Sequence, residues 1–167
     1  VNEREAIDIL EVIGEKDLAC RCEENTDSVN LFEAILRIKR KLGVPRVQLH
    51  MFGLYLTLQS PGFVITPEAN LCGMSVAATV AASKAGTGNI NKAENLLWAQ
   101  GREVSDVGLT ELESLAAYLH DERLPATGLS RYDDIDIIAL PTILVEKPLT
   151  LVGMGDTISS ISLISSR

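Results

Sequence analysis

A glycine-rich turn between an apolar extended run and a C-terminal helix constrains this chain most strongly. The extended run covers Ile135–Leu151, the turn reads Gly-Met-Gly-Asp-Thr over Gly153–Thr157, and the residues after it favour a helix. Glycines let the backbone approach a bound anion closely, because they carry no Cβ. A helix N-terminus presents free N–H groups to negative charge. The pattern therefore predicts that an anion binds at this turn.

The aspartate of the turn carries the chemistry. Asp156 would repel a phosphate, so it is a poor ligand for one. It suits a base that accepts a proton from an attacking hydroxyl while neighbouring amides hold the phosphoryl group. This interpretation predicts a sugar kinase. Aspartate is also a favoured helix N-cap, and that structural role remains the alternative.

Four blocks of sequence extend the interpretation beyond the turn. They are Asn2–Glu5, Arg46–Leu56, Gly73–Asn89 and Leu140–Ser160. In this order they resemble four features of the archaeal ADP-dependent glucokinases and phosphofructokinases. Those features are an N-x-x-E motif, a strand ending in histidine, a small-residue helix closing in Gly-Asn, and a C-terminal signature. The resemblance implies the C-terminal half of the large domain of a ribokinase-like fold.

The resemblance also implies roles for individual residues. Asp156 would be the catalytic base, and Gly153, Met154 and Gly155 would offer backbone N–H groups to the moving phosphoryl group. Asn2 and Glu5 would organise Mg²⁺, the glutamate holding the ion through water. The residues expected at the nucleotide are His50, Ile143, Val145, Val152 and Met154.

Structural alternatives exist for several of these residues. Asn2 is a good helix N-cap and Glu5 a favourable first-turn acid. His50 ends a strand, where ligands bind in open α/β sheets, but such a histidine is more often a packed hydrogen-bonding residue. Ile143 and Val145 are equally compatible with a hydrophobic core.

The implied reaction moves the β-phosphate of ADP to glucose or fructose 6-phosphate and leaves AMP. The alternatives are an ATP-dependent ribokinase-type kinase and a non-catalytic domain that retains the fold. In the family, the sugar contacts and a further acidic metal motif come largely from an N-terminal region with a lid. The chain begins with Val1 rather than Met, so we expect that region to be absent from residues 1–167. The isolated chain should then lack kinase activity.

Size and charge exclude several other classes. The 167 residues suffice for one domain, and the hydrophobic fraction of 46% is ordinary for a globular protein. The net charge of −8 argues against a nucleic-acid surface. No apolar stretch approaches the ~18 residues of a membrane span, and the N-terminus is too polar for a signal peptide. Three cysteines cannot pair completely, and reduced thiols are typical of a cytoplasmic protein.

Hydrophobic periodicity predicts alternating helices and strands. Helices are expected over Asn2–Gly14, from Asp27 to Gly43, from Thr66 to Gly86, over Lys92–Gln100, after a capping box at Thr110–Glu113, and over Gly155–Ser165. Strands are expected over Arg46–His50, Leu54–Leu58 and Ile135–Leu140, with a further extended segment at Ile143–Val145 and a loop at Pro125–Arg131. This alternation predicts an α/β fold, with layers of helix around a mainly parallel sheet.

Overall fold

Helices cover both faces of a four-stranded sheet in the computed structural model, which describes residues 1–166. The strands are β1 (Arg46–Met51), β2 (Leu54–Gln59), β3 (Leu129–Tyr132) and β4 (Ile135–Pro141). The helices are α1 (Glu3–Val12), α2 (Lys16–Glu24), α3 (Ser28–Leu42), α4 (Pro67–Thr87), α5 (Ala93–Gln100), α6 (Asp106–Leu119), α7 (Leu124–Thr127) and α8 (Met154–Ser165). None of the helices in these residues is long and apolar enough to cross a bilayer.

All neighbouring pairs among the four strands are antiparallel, so the expectation of a mainly parallel sheet is wrong for the described residues. Its strand order is β1-β2-β4-β3, and each neighbouring pair runs in opposite directions. Two-residue connections, Phe52–Gly53 and Asp133–Asp134, reverse the chain within the two hairpins. Gly53 and Asp133 both have positive φ, the backbone conformation that such tight turns use. Alternation of strands and helices predicted the element types but not how the strands pair.

Alternating residues of the sheet supply two separate hydrophobic cores. Leu49, Leu56 and Ile137 are fully buried on one face, in a core that includes residues of α1, α2, α3 and α6. Tyr55 and Ile138 point to the opposite face and pack with residues of α4 and α8. This is the two-residue period of a strand buried on both sides. The layered αβα arrangement expected from the sequence is therefore present.

Several helix ends agree with the cap residues read from the sequence. The Asp27 side chain accepts a hydrogen bond from the backbone of Asn30, and Gly43 ends α3 in the left-handed conformation. Thr66 caps α4 and Pro67 opens it. Helix α4 continues past the expected stop at Gly86 to Thr87, with Gly88 as its C-cap residue.

The middle of the chain was predicted less well. Helix α6 begins after Ser105, whose hydroxyl oxygen caps it by accepting from the Gly108 N–H. Thr110, expected to start the helix in a capping box, instead lies inside it and donates to the carbonyl of Asp106. The expected loop at Pro125–Arg131 contains α7 and β3.

Two further local differences lie nearer the chain ends. Lys16–Glu24 forms a separate helix, α2, after Gly14 adopts a positive φ. The segment Ile143–Val145 is not a strand, and only Ile143 makes an isolated bridge, to Val104.

Small residues allow α4 to lie directly against α8. Gly73 has no side chain, and a Cβ there would collide with the Ser162 carbonyl oxygen and the Ser166 hydroxyl. Ala77, Ala78 and Ala81 continue the buried surface of α4. Close approach of these two helices fixes where α8, and the turn that precedes it, sits over the sheet.

This packing can be tested with Gly73→Val. We expect a loss of about 1–3 kcal/mol in the free energy of unfolding, because the new side chain must push α8 away. Ser75→Val lies on the exposed side of the same helix and should change stability by less than about 0.5 kcal/mol. Urea denaturation followed by circular dichroism measures both. Equal stability of the two variants would contradict the packing described here.

Candidate active site

The glycine turn, defined here as Gly153–Asp156, forms the N-terminus of α8. Gly153 is the N-cap residue, with φ 67° and ψ 24°, in the left-handed region that favours glycine. No side chain of the described chain caps this helix. The N–H groups of the first turn have no intrahelical acceptor by geometry, so they are available to an anion.

Asp156 is not the N-cap of α8. Because Gly153 holds that position, Asp156 is the third helical residue, and its side chain is exposed. The alternative interpretation of this aspartate as the N-cap is therefore wrong. Its carboxylate can still interact favourably with the positive end of the helix dipole. An exposed carboxylate next to free amides is the arrangement that the base role requires.

Lys84 is a cation at the glycine turn that the sequence did not single out. Its Nζ donates to the Gly153 carbonyl oxygen at 3.3 Å and to the Thr157 hydroxyl at 3.0 Å. The lysine lies in the last turns of α4, 69 residues before Gly153. Only the packing of α4 against α8 brings the two together, which is why local sequence patterns gave no signal for it.

A mainly apolar cavity of about 640 Å³ opens beside the turn. Four of the five residues predicted to line a nucleotide pocket do line it: His50, Ile143, Val145 and Met154. Val152, the fifth, is 84% exposed and does not line the cavity. Asn2 and Gly155 also contribute to the wall.

Other parts of the cavity wall were not anticipated. They comprise alanines of α4, the aromatic ring of Tyr55, and the polar residues Ser105, Thr142 and Glu146. The small-residue block in the sequence was the available signal for the alanines. A mainly apolar cavity with a few polar groups is typical of a small-molecule site.

His50 connects the cavity to the glycine turn. Its ring packs edge-on against Tyr55 with centroids 5.6 Å apart, and its Nε2 is buried without a hydrogen-bond partner in the described chain. A Cβ on Gly155 would lie 4.0 Å from His50 Nδ1. Burial, assisted by the positive charges of the Val1 amino group and Arg46, lowers the pKa of His50 to about 4. The imidazole is therefore neutral at physiological pH.

Asn2 and Glu5 form a capping box at the start of α1. The Asn2 side chain accepts from the Glu5 backbone and the Glu5 carboxylate accepts from the Asn2 backbone, both at 2.9 Å. The structural alternative for these residues is thus present. It leaves Glu5 Oε1 without a hydrogen bond from any described residue, so this exposed oxygen can hold a water of a hydrated Mg²⁺. No group of three His, Cys, Asp or Glu residues within 1–166 is arranged to bind a metal directly.

Comparison with known proteins identifies the family. The sequence model of the ADP-specific phosphofructokinase/glucokinase conserved region matches residues 1–165. The chain belongs to this family. It is 34% identical over 166 residues to an ADP-dependent glucose/glucosamine kinase of Pyrococcus furiosus, a match covering 98% of the chain and 35% of the relative. It is 29% identical over 166 residues to an ADP-specific phosphofructokinase of Methanosarcina acetivorans, covering 93% of the chain and 33% of that protein.

Solved structures of the family share the fold. The last common ancestor of ADP-dependent phosphofructokinases from Methanosarcinales matches with a TM-score of 0.92 and 31% identity over 99% of the chain. An ADP-dependent kinase in complex with fructose 6-phosphate and ADPβS matches with a TM-score of 0.91 and 31% identity, over 99% of the chain and 37% of that kinase. The chain therefore spans about a third of the length of these relatives.

The environment of His50 predicts a pH dependence of stability. Its pKa is about 4 in the folded chain against an ordinary value of 6.5, so the unfolded chain binds this proton first as the pH falls. The free energy of unfolding contributed by the neutral imidazole should be complete above about pH 6.5 and lost between about pH 6.5 and 4. His50→Gln should reduce this slope in urea titrations at several pH values. An NMR titration of the His50 ring with a midpoint near 6.5 would contradict the burial argument.

Proposed function

We propose that this chain is the C-terminal, nucleotide-binding and catalytic portion of an ADP-dependent hexose kinase. The enzyme would transfer the β-phosphate of ADP to a hydroxyl of glucose or fructose 6-phosphate and release AMP, a step of glycolysis. The observation that carries the proposal is the glycine turn with its exposed aspartate next to an apolar cavity. The likeness to a kinase in complex with fructose 6-phosphate and ADPβS supports it.

The cavity suits the adenine of ADP. Its wall of alanine, isoleucine and valine side chains would remove a flat heterocycle from water, and the few polar groups of the wall would limit its orientation. His50 is neutral, so it would offer one ring nitrogen as a donor and the other as an acceptor without adding charge. Bound in this way, the nucleotide would extend its diphosphate from the cavity towards Gly155.

The glycine turn would then stabilise the transferred group. In phosphoryl transfer, negative charge spreads over the equatorial oxygens, and preorganised N–H donors stabilise it without reorganisation. Asp156 would accept the proton of the attacking hydroxyl as the new oxygen–phosphorus bond forms. Mg²⁺, when bound, neutralises phosphate charge. Glu5 and Asn2 would hold it through water, completed by residues outside this chain.

Backbone pairing supports the role of the chain as one part of a larger sheet. The Val1 amino group donates to the Gln48 carbonyl at 2.8 Å, and the His50 N–H donates to the Val1 carbonyl at 2.9 Å. Asn2 and His50 form a parallel bridge. A strand that precedes Val1 would continue this pairing along β1, so the preceding two-thirds of the kinase, with the sugar site and lid, would pack at this edge. Cys20, Cys22 and Cys72 are free thiols, consistent with a cytoplasmic enzyme.

The role of the aspartate is tested by Asp156→Asn in the full-length kinase. We expect kcat to fall by about two to four orders of magnitude, the scale of a positioned general base, with ADP binding and the fold nearly unchanged. Asp106→Asn is a matched control, because Asp106 is also an exposed first-turn acid of a helix, α6. A fall in kcat of less than tenfold in Asp156→Asn would contradict the base role and leave Asp156 only a favourable interaction with the helix dipole.

The choice of donor is tested by steady-state assays of the full-length kinase with ADP and with ATP. Glucose and fructose 6-phosphate are each supplied as acceptor, and AMP formation is measured. We expect a higher kcat/KM with ADP, because the match to the family covers nearly the whole chain. Faster turnover with ATP would favour a ribokinase-type ATP-dependent kinase. Loss of all phosphoryl transfer would favour a non-catalytic domain.

The isolated 167-residue chain should phosphorylate neither sugar, although it should bind ADP. This outcome is expected because the family resemblance implies that the sugar contacts and part of the metal site come from a region outside these residues. Calorimetric titration with ADP and a coupled kinase assay measure the two properties. Phosphorylation of glucose or fructose 6-phosphate by this chain alone would place the acceptor site within it.

A further inference from the structure

We propose that Lys84 is a positioning residue for phosphoryl transfer, one that holds the glycine turn in the orientation that exposes its amides. The inference rests on the proposed function and adds a residue to it. Lys84 acts through the backbone of the turn, so it differs from the groups assigned to the nucleotide, the acceptor hydroxyl or the metal.

Three donors converge on one carbonyl oxygen. The Gly153 oxygen accepts from the Thr157 N–H at 3.1 Å, from the Thr157 hydroxyl at 2.8 Å and from Lys84 Nζ at 3.3 Å. Lys84 also donates to the same hydroxyl at 3.0 Å. The lysine and the threonine thus form a closed set of contacts around the first carbonyl of α8. A charged donor makes stronger hydrogen bonds than a neutral one.

Peptide planarity transmits this restraint to the anion-binding side. The Gly153 carbonyl and the Met154 N–H belong to one planar peptide unit and point in opposite directions. A carbonyl held towards Lys84 therefore turns the Met154 N–H away from Lys84, out of the helix end. Gly153 needs such a restraint, because without a Cβ its backbone is less restricted and the peptide unit that follows it rotates more readily.

The ammonium of Lys84 lies directly beside Gly153. A Cβ on Gly153 would be 3.4 Å from Lys84 Nζ, an ordinary van der Waals contact. The small-residue packing between α4 and α8 places the lysine stem at this distance. A simpler role exists, since a lysine in the last turn of α4 complements that helix dipole whatever the turn does. The two roles predict different results when Lys84 is replaced. A positioning role predicts a change in the backbone amides of Met154 and Gly155, whereas a role limited to the dipole of α4 predicts none.

The first experiment measures the backbone conformation of the glycine turn in the absence of nucleotide. Backbone amide shifts and hydrogen exchange of Gly153–Asp156 are recorded by NMR for the 167-residue chain, for Lys84→Met and for Lys84→Arg. Lys16→Met is the control, because Lys16 is an exposed residue of α2 outside the site. We expect large shift changes at Met154 and Gly155 in Lys84→Met and their partial return in Lys84→Arg. Amide shifts in Lys84→Met no larger than those in Lys16→Met would overturn the inference.

The second experiment measures catalysis and nucleotide binding in the full-length kinase. Lys84→Met should lower kcat by about 10- to 100-fold, less than removal of the base, while the KM of the sugar stays within about twofold. It should weaken ADP binding but leave AMP binding unchanged, because AMP lacks the β-phosphate that would meet the turn. Equal weakening of ADP and AMP would overturn the inference. Failure of the wild-type kinase to use ADP would instead refute the proposed function, whatever the NMR data show.

Discussion

Close packing of α4 against α8 is the constraint on which the rest of the site depends. A glycine and a series of alanines on α4 let α8 approach until the backbone of Ser162 lies where a side chain at Gly73 would be. At the other end of the same interface, Lys84 reaches the carbonyl of Gly153. The same alanine face forms a wall of the cavity. The contact between these two helices therefore determines the relative positions of the glycine turn, Lys84 and the cavity.

The site combines two environments that a single surface rarely supplies. Adenine favours a dry, apolar wall, whereas a transferred phosphoryl group needs oriented hydrogen-bond donors where its negative charge develops. His50 lies at the boundary between them and is kept neutral by burial, with a pKa of about 4. A charged imidazole there would attract phosphate into the adenine space. Under the proposed function, a neutral His50 would therefore keep the phosphates of the nucleotide out of the apolar space.

The sequence predicted what is local and missed what depends on packing. Caps at Asp27, Gly43 and Thr66 and the start of α8 follow from backbone chemistry, so residue type alone placed them within about one position. Strand pairing is non-local, and alternation of elements does not reveal that two-residue turns make the sheet antiparallel. Lys84 was missed for the same reason, since its partner lies 69 residues away. The family resemblance supplied the pocket residues that periodicity could not assign.

Charge explains why the glycine turn must be organised so closely. The chain carries a net charge of −8, yet its proposed ligand is itself an anion, so the overall field opposes binding. Attraction must therefore be local. It comes from the free N–H groups of α8, the positive end of its dipole and the ammonium of Lys84, all close to Gly153. These are partial or single charges, insufficient to neutralise a diphosphate. Under the proposed function, the remaining positive charge would come from Mg²⁺ and from side chains outside these residues.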